Sequence, residues 1–252
     1  MPTTLSLTER PVRAGRRRRP RGVGDPAARV FLPLLVALVL ADAALMLLHL
    51  GHAATWSGVI QSRLLASPLL NFAAEHGAAE TWEYGKSAAT ALAAGWLFWK
   101  ERQPIYAALS AAHAWLAFDN ALGLHEAFGA RLGAGVPAAL RPGLIPEHAG
   151  ELIFFVLFGA LAAAVFAAAI AAGGREHRRL GTGLAVAFFS LGLFAVGMDV
   201  LHALPLFSGA PGRETAFVLL EDGGESLVLS FNAALTIAFA VAGAPRPRRI
   251  AS

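Results

Sequence analysis

Two histidine–carboxylate pairs in this sequence stand one helical turn apart: His148 with Glu151, and Asp199 with His202. Residues three or four apart share a helix face, so each pair can aim both groups at one point. Glu221 and Glu225 are spaced by four, and Asp119 and Glu126 by seven, again on common faces. Carboxylate–His pairs from two helices joined by single carboxylates from others form the inventory of di-iron and di-manganese bundles. Oxygen-rich sites with imidazole suit iron, manganese or zinc. The residue types therefore predict a metal centre with His148, Glu151, Asp199, His202 and Glu225 as ligands. Asp119 and Glu126 are the candidate catalytic acid–base groups. The chain has no cysteine, which excludes thiolate ligands and disulfides alike.

The elements that must carry these groups are membrane helices. Hydrophobic residues make up 56% of the 252 and charged residues 15%, against about 25% charged in a soluble domain. Residues 1–29 form a tail rich in Arg, Pro and Gly, with too little apolar content to fold. The following run, Val30–Leu50, is longer than a signal-peptide core and lacks a small-residue cleavage site, so it reads as an uncleaved first helix. Six segments approach the roughly 20 apolar residues a bilayer crossing needs: Val30–Leu50, Glu83–Trp99, Pro104–Glu126, Glu147–Ala172, Gly181–Leu204 and Asp222–Gly243. The expected fold is all-α: one six-helix transmembrane domain over 30–243, with a second basic tail at 244–252.

Orientation follows from the basic residues. With the N-terminus inside, sixteen Lys and Arg lie on inner segments and four on outer ones, while Lys86 falls within a span. That asymmetry predicts N-in and C-in in a bacterial inner membrane. The net charge of +4 belongs to this topology pattern and gives no reason to expect a nucleic-acid partner.

This topology gathers the polar residues toward the outer side. Asp42, His49 and His52 end the first helix; Glu83 and Lys86 begin the second; Asp119, His125 and Glu126 end the third. Ionisable groups near the bilayer centre cost about 2.5–3.5 kcal/mol each on insertion scales, so a dozen of them implies pairing, bound ions or a water-filled cavity. Lys86 is expected as a counter-ion to Glu83 or Asp42. Glu147, Glu221 and Asp222 sit at expected helix starts, where the helix dipole favours acids anyway. His113, alone and deep, reads as a packed core histidine. Three outgoing helices carry an Asp followed by a His, and Glu147-His148-Ala149-Gly150-Glu151 matches Glu221-Asp222-Gly223-Gly224-Glu225. These patterns suggest three repeated hairpins, an arrangement common in membrane folds.

The run Phe118-Asp119-Asn120-Ala121-Leu122-Gly123-Leu124-His125-Glu126 resembles a pattern in uncharacterised bacterial multi-pass membrane proteins, which implies no known activity. Alkaline ceramidase-like hydrolases also hold metal in membrane helices, but their late His-x-x-x-His pair is absent here. The sequence reading is thus a membrane-embedded metalloprotein, with a metal-dependent reaction on a lipid or apolar small molecule at the outer face. The alternative is a cation or proton transporter built on the same acids, which the scarcity of polar residues in the inner helix halves disfavours. Haem binding through histidine pairs ranks last, given the surrounding acids. A reporter fused to the C-terminus should report from the cytoplasm, and one inserted in 127–146 from outside; the reverse labelling would move the acidic face to the other side.

Overall fold

The structure, a computed structural model, describes residues 26–72, 74, 76–141, 144–202 and 211–243. All regular structure among them is helical. The basic tails expected at 1–29 and 244–252 lie almost wholly outside the described residues. Three helices are long and apolar enough to cross a membrane: α1 (Pro26–Trp56), α5 (Pro146–Ala172) and the Thr215–Ala242 part of α9 (Pro211–Ala242). The other expected spans map onto α2 (Ala78–Glu101), α3 (Pro104–Leu122) and a broken run, α6 (Arg175–Phe189), α7 (Leu191–Ala195) and α8 (Gly197–His202).

The centre of the bundle is α9. Half of its apolar window is buried within the protein, against 6% for α1. It lies between α1 and α2, which otherwise barely meet, and α2 in turn packs along α3. The buried stripe of α2 is polar toward its N-terminus, with Glu83, Lys86, Ser87 and Thr90, and mostly apolar toward its C-terminus, with Ala91, Ala94 and Leu97. Leu92, Trp96 and Trp99 face outward on the same helix. An element that hides its charges and shows its leucines and tryptophans suits an apolar solvent better than water.

Three departures from the expected helix boundaries bear on the site. The third helix does not run to Glu126: it ends at Leu122, where Gly123 turns the chain at φ +58°, and α4 (Leu124–Ala134) follows inside the segment read as a loop. The fifth is interrupted at Ser190 and Val196. The last begins at Pro211, ten residues before Glu221, because helix geometry continues through charged residues that an apolar window leaves out. Glu221 and Asp222 therefore lie well inside α9, and the N-terminal dipole explanation for them fails; for Glu147, in the first turn of α5, it stands. The repeat patterns consequently start at different depths in α2, α5 and α9.

The crossing of α4 and α5 depends on glycines. A Cβ on Gly150 would strike the backbone at Gly129 and Gly133, one on Gly133 would strike Pro146, and one on Gly129 would strike Glu151. Glycines four apart let the two backbones touch, as small-residue interfaces do in membranes. Gly150→Ala should therefore force α4 off α5 and cost about 1–3 kcal/mol, as overpacking does. Thermal unfolding in detergent should show the loss, while Gly159→Ala on the same helix, where nothing lies within 4 Å of the added carbon, should melt like the parent.

Candidate functional site

The most buried charges lie beneath the site rather than in it. Lys86 is 3% exposed and Asp42 0%. Lys86 Nζ donates to Asp42 Oδ1 at 2.9 Å and to the Ser226 carbonyl and hydroxyl, each at 2.7 Å. Asp42 accepts from Trp82 Nε1 at 2.8 Å, Ser226 Oγ at 3.1 Å and Ser230 Oγ at 2.5 Å. Of the two counter-ions expected for Lys86, Asp42 is the one paired. The pair joins α1, α2 and α9 through a hydrogen-bonded cluster in which both charges are satisfied.

Toward the N-terminus of α2, beside this pair, an open cavity of about 390 Å³ begins. Carboxylates line it from four helices: Glu80 and Glu83 of α2, Glu126 of α4, Glu151 of α5, and Glu221, Asp222 and Glu225 of α9. His125 and His148 line it as well, with Asn120 of α3 and an apolar rim that includes Phe72, Phe155 and Leu191. No Lys or Arg is among the described residues that line it. Glu83 forms the floor: it is 7% exposed, and its Oε1 is buried with no hydrogen-bond partner.

Asp119 stands behind this wall rather than in it. It is 2% exposed, and its Oδ1 accepts the backbone N–H of His125 at 2.9 Å. Gly123 cannot cap α4 with a side chain, so Asp119 satisfies an amide that the new helix leaves free. Its Oδ2 lies 3.3 Å from His125 Nδ1. A carboxylate on one ring nitrogen orients the imidazole and leaves Nε2 for a ligand or a proton. The Nε2 of His125 is 3.8 Å from Glu126 Oε1. On α5, His148 Nδ1 lies 3.5 Å from Glu151 Oε2, as the one-turn spacing predicts.

Of the predicted ligands, His148, Glu151 and Glu225 share the cavity, and so does the predicted catalytic Glu126. Asp119 lies behind His125 instead. The side chains of Asp199 and His202 at the end of α8 lie outside the described residues. As the side chains stand, no three His, Asp or Glu groups among the described residues surround one point closely enough to ligate an ion. Sequence reasoning missed Glu80, assigned to a loop, and undervalued His125 and Glu83. His49, His52 and His113 are not among the residues that line the cavity. His49 Nδ1 accepts the Phe72 amide at 3.0 Å, His52 Nδ1 reaches the Leu65 carbonyl at 2.8 Å, and both tie α1 to the segment that joins it to α2. His113, fully buried, packs edge-on to Phe188.

A family model described as a domain of unknown function, DUF8692, matches residues 31–239, a range that includes every residue of the cavity. No curated protein and no solved structure matches the chain.

Removing one member of the buried pair strands the other. Lys86→Met or Asp42→Asn should each cost about 3–5 kcal/mol, the range for breaking a buried ion pair. The double variant should recover much of that loss in thermal unfolding; a double variant as unstable as the two singles summed would show that the two charges are not coupled.

Proposed function

This chain belongs to the DUF8692 family, and we propose that it is a membrane-embedded metalloprotein whose acidic cavity holds a divalent cation. The observation that carries this reading is Glu83, with a buried carboxylate oxygen that no donor satisfies, at the floor of a cavity lined by six further carboxylates. An unpaired polar atom in a low-dielectric site costs about 1–3 kcal/mol, and more when it is charged. Several carboxylates around one cavity cannot all stay ionised without cations. Lys86 is committed to Asp42 and does not line the cavity. A cation bound near Glu83 would remove both costs.

Glu83, Glu126, Glu151, Glu225, His125 and His148 are the candidate ligands, a set of oxygen and imidazole donors suited to iron, manganese or zinc. Part-exposed Glu126 and His148 can swing toward the floor residues by side-chain rotation. Bound there, a divalent ion would polarise a substrate oxygen or lower the pKa of a water. With Asp119 beside its Nδ1, His125 would present Nε2 to the ion. The reading includes six crossings of a bacterial inner membrane, N-in and C-in, with the cavity at the outer face and a lipid or apolar small molecule as substrate. The competing reading, passage of cations or protons, needs a continuation toward the inside. Below the ion pair, Ala94, Ala234 and Ala238 are 0% exposed and Leu97 1%, and the polar Thr90, Asn232 and Thr236 among them are as tightly enclosed at 0–1%, a packing that supports holding an ion rather than conducting one.

Protein purified in detergent without chelator should carry stoichiometric iron, manganese or zinc by elemental analysis. Glu83→Gln, which keeps shape but removes charge, and Glu151→Ala should each lower the content several-fold, while His113→Ala should not. Metal-free parent protein would sink this reading.

A further inference from the structure

The outer part of α9 has two differently lined sides. Glu221, Asp222 and Glu225 face the acidic cavity. Gly223, Gly224 and Leu227, on the same turns, line a second hollow of about 630 Å³ between α1, α6, α7 and α9. Its walls are apolar apart from Ser190, whose hydroxyl is already bonded to the Ala187 carbonyl at 2.8 Å. Two side chains press onto the glycine pair: a Cβ on Gly224 would collide with the Phe194 ring, and one on Gly223 would reach Met46 at 2.7 Å.

A single short helix separates the two spaces. On α7, Leu191 and Ala195 face the acids, while Phe194 faces the apolar hollow. Val186, Leu220 and Leu227 on the hollow's walls are 64%, 55% and 40% exposed, so among the described residues it opens sideways. It lies between α1 and α9, two of the helices apolar enough to span a membrane, so what meets that opening is hydrocarbon. Water cannot fill it, because a held water needs two to four polar partners and the walls offer almost none.

We infer that this hollow is a binding site for one hydrocarbon chain of a membrane amphiphile, with Phe194 and Met46 gripping the chain and the head group lying over the acidic cavity. Where the head goes rests on the metal-site reading; where the chain goes rests on the hollow alone. The substrate class is then a lipid that enters from the bilayer plane, its polar group reaching the acids across α7 while its tail stays in apolar surroundings.

The test uses the full chain in vesicles of phosphatidylcholine and phosphatidylglycerol, with a trace of phosphatidylcholine carrying a mid-chain diazirine. After photolysis, mass spectrometry should find Met46, Phe194 and Leu227 labelled several-fold more than Leu157 and Leu161. Those two α5 residues, 62% and 64% exposed, report casual lipid contact. Leu227→Trp should fill the hollow and abolish most labelling at Met46 and Phe194, with α5 labelling and metal content unchanged. Labelling no higher than on α5, labelling indifferent to Leu227→Trp, or a link from the hollow to another segment of the chain itself would overturn the inference. Specific labelling of a metal-free protein would uphold the chain site and remove only the metal reading.

Discussion

The packing of α1, α2 and α9 is organised around one ion pair. Asp42 and Lys86 are both inaccessible to solvent, 2.9 Å apart, and come from helices that hardly touch elsewhere. Taking two charges out of water costs several kcal/mol per ion, and their attraction repays it only with good geometry and satisfied hydrogen bonds. Here Ser226 and Ser230 of α9 and Trp82 of α2 complete both groups. That requirement fixes more than a contact. A slide of α1 or α9 by one residue would rotate Asp42 or the serines away and leave a naked charge in an apolar medium. The pair therefore acts as a register pin for three helices, and Glu83, three residues before Lys86 on the same face of α2, is held at the cavity floor as a consequence.

The opposite wall is held by different means, through backbone proximity. Glycines at 129, 133 and 150 let α4 lie against the start of α5, which brings His125 and Glu126 over His148 and Glu151. The sharp turn at Gly123 makes α4 possible, and it exposes amides that Asp119 then satisfies. Asp119 thus does two things with its two oxygens: it closes a helix start and it stands beside the His125 ring. A side chain at position 123 would need a backbone conformation that favours glycine, so the turn and the orientation of the histidine are linked.

What could be read from the residues follows physical lines. Low charge content and the one-sided spread of arginine make a membrane protein legible, and one-turn spacing correctly placed His148 beside Glu151. Turn chemistry was harder. Glycine is common in membrane helices, so Gly123 did not stand out as a break, and Glu126 was assigned to the wrong helix. The apolar window that locates a span stops at the first charges, which hid the ten residues of α9 before Glu221 and the start of α2 with Glu80. Lys86 was recognised as a counter-ion, but the choice of Asp42 over Glu83 depends on two serines 140 and 144 positions away. No local pattern encodes a partner that a third helix supplies.

The placement of the positive charge is the strongest reason to read the cavity as a cation site. A membrane protein that needed its outer acids only for shape or solubility could neutralise them with arginine, which this chain has in quantity. Instead the described residues that line the cavity include seven carboxylates and no Lys or Arg. The buried lysine is turned toward Asp42, and Arg141, between α4 and α5, reaches the carbonyl of Leu144. A lining so one-sided creates a negative potential that low-dielectric walls intensify, and it concentrates cations at its mouth. Protonation could relieve the repulsion but would leave the imidazoles of His125 and His148 without a purpose. A divalent ion uses both donor types, and its site would border the same stretch of α9 that lines the apolar hollow. The separation of polar and apolar spaces by one thin helix is what a substrate with a charged head and a greasy tail would require.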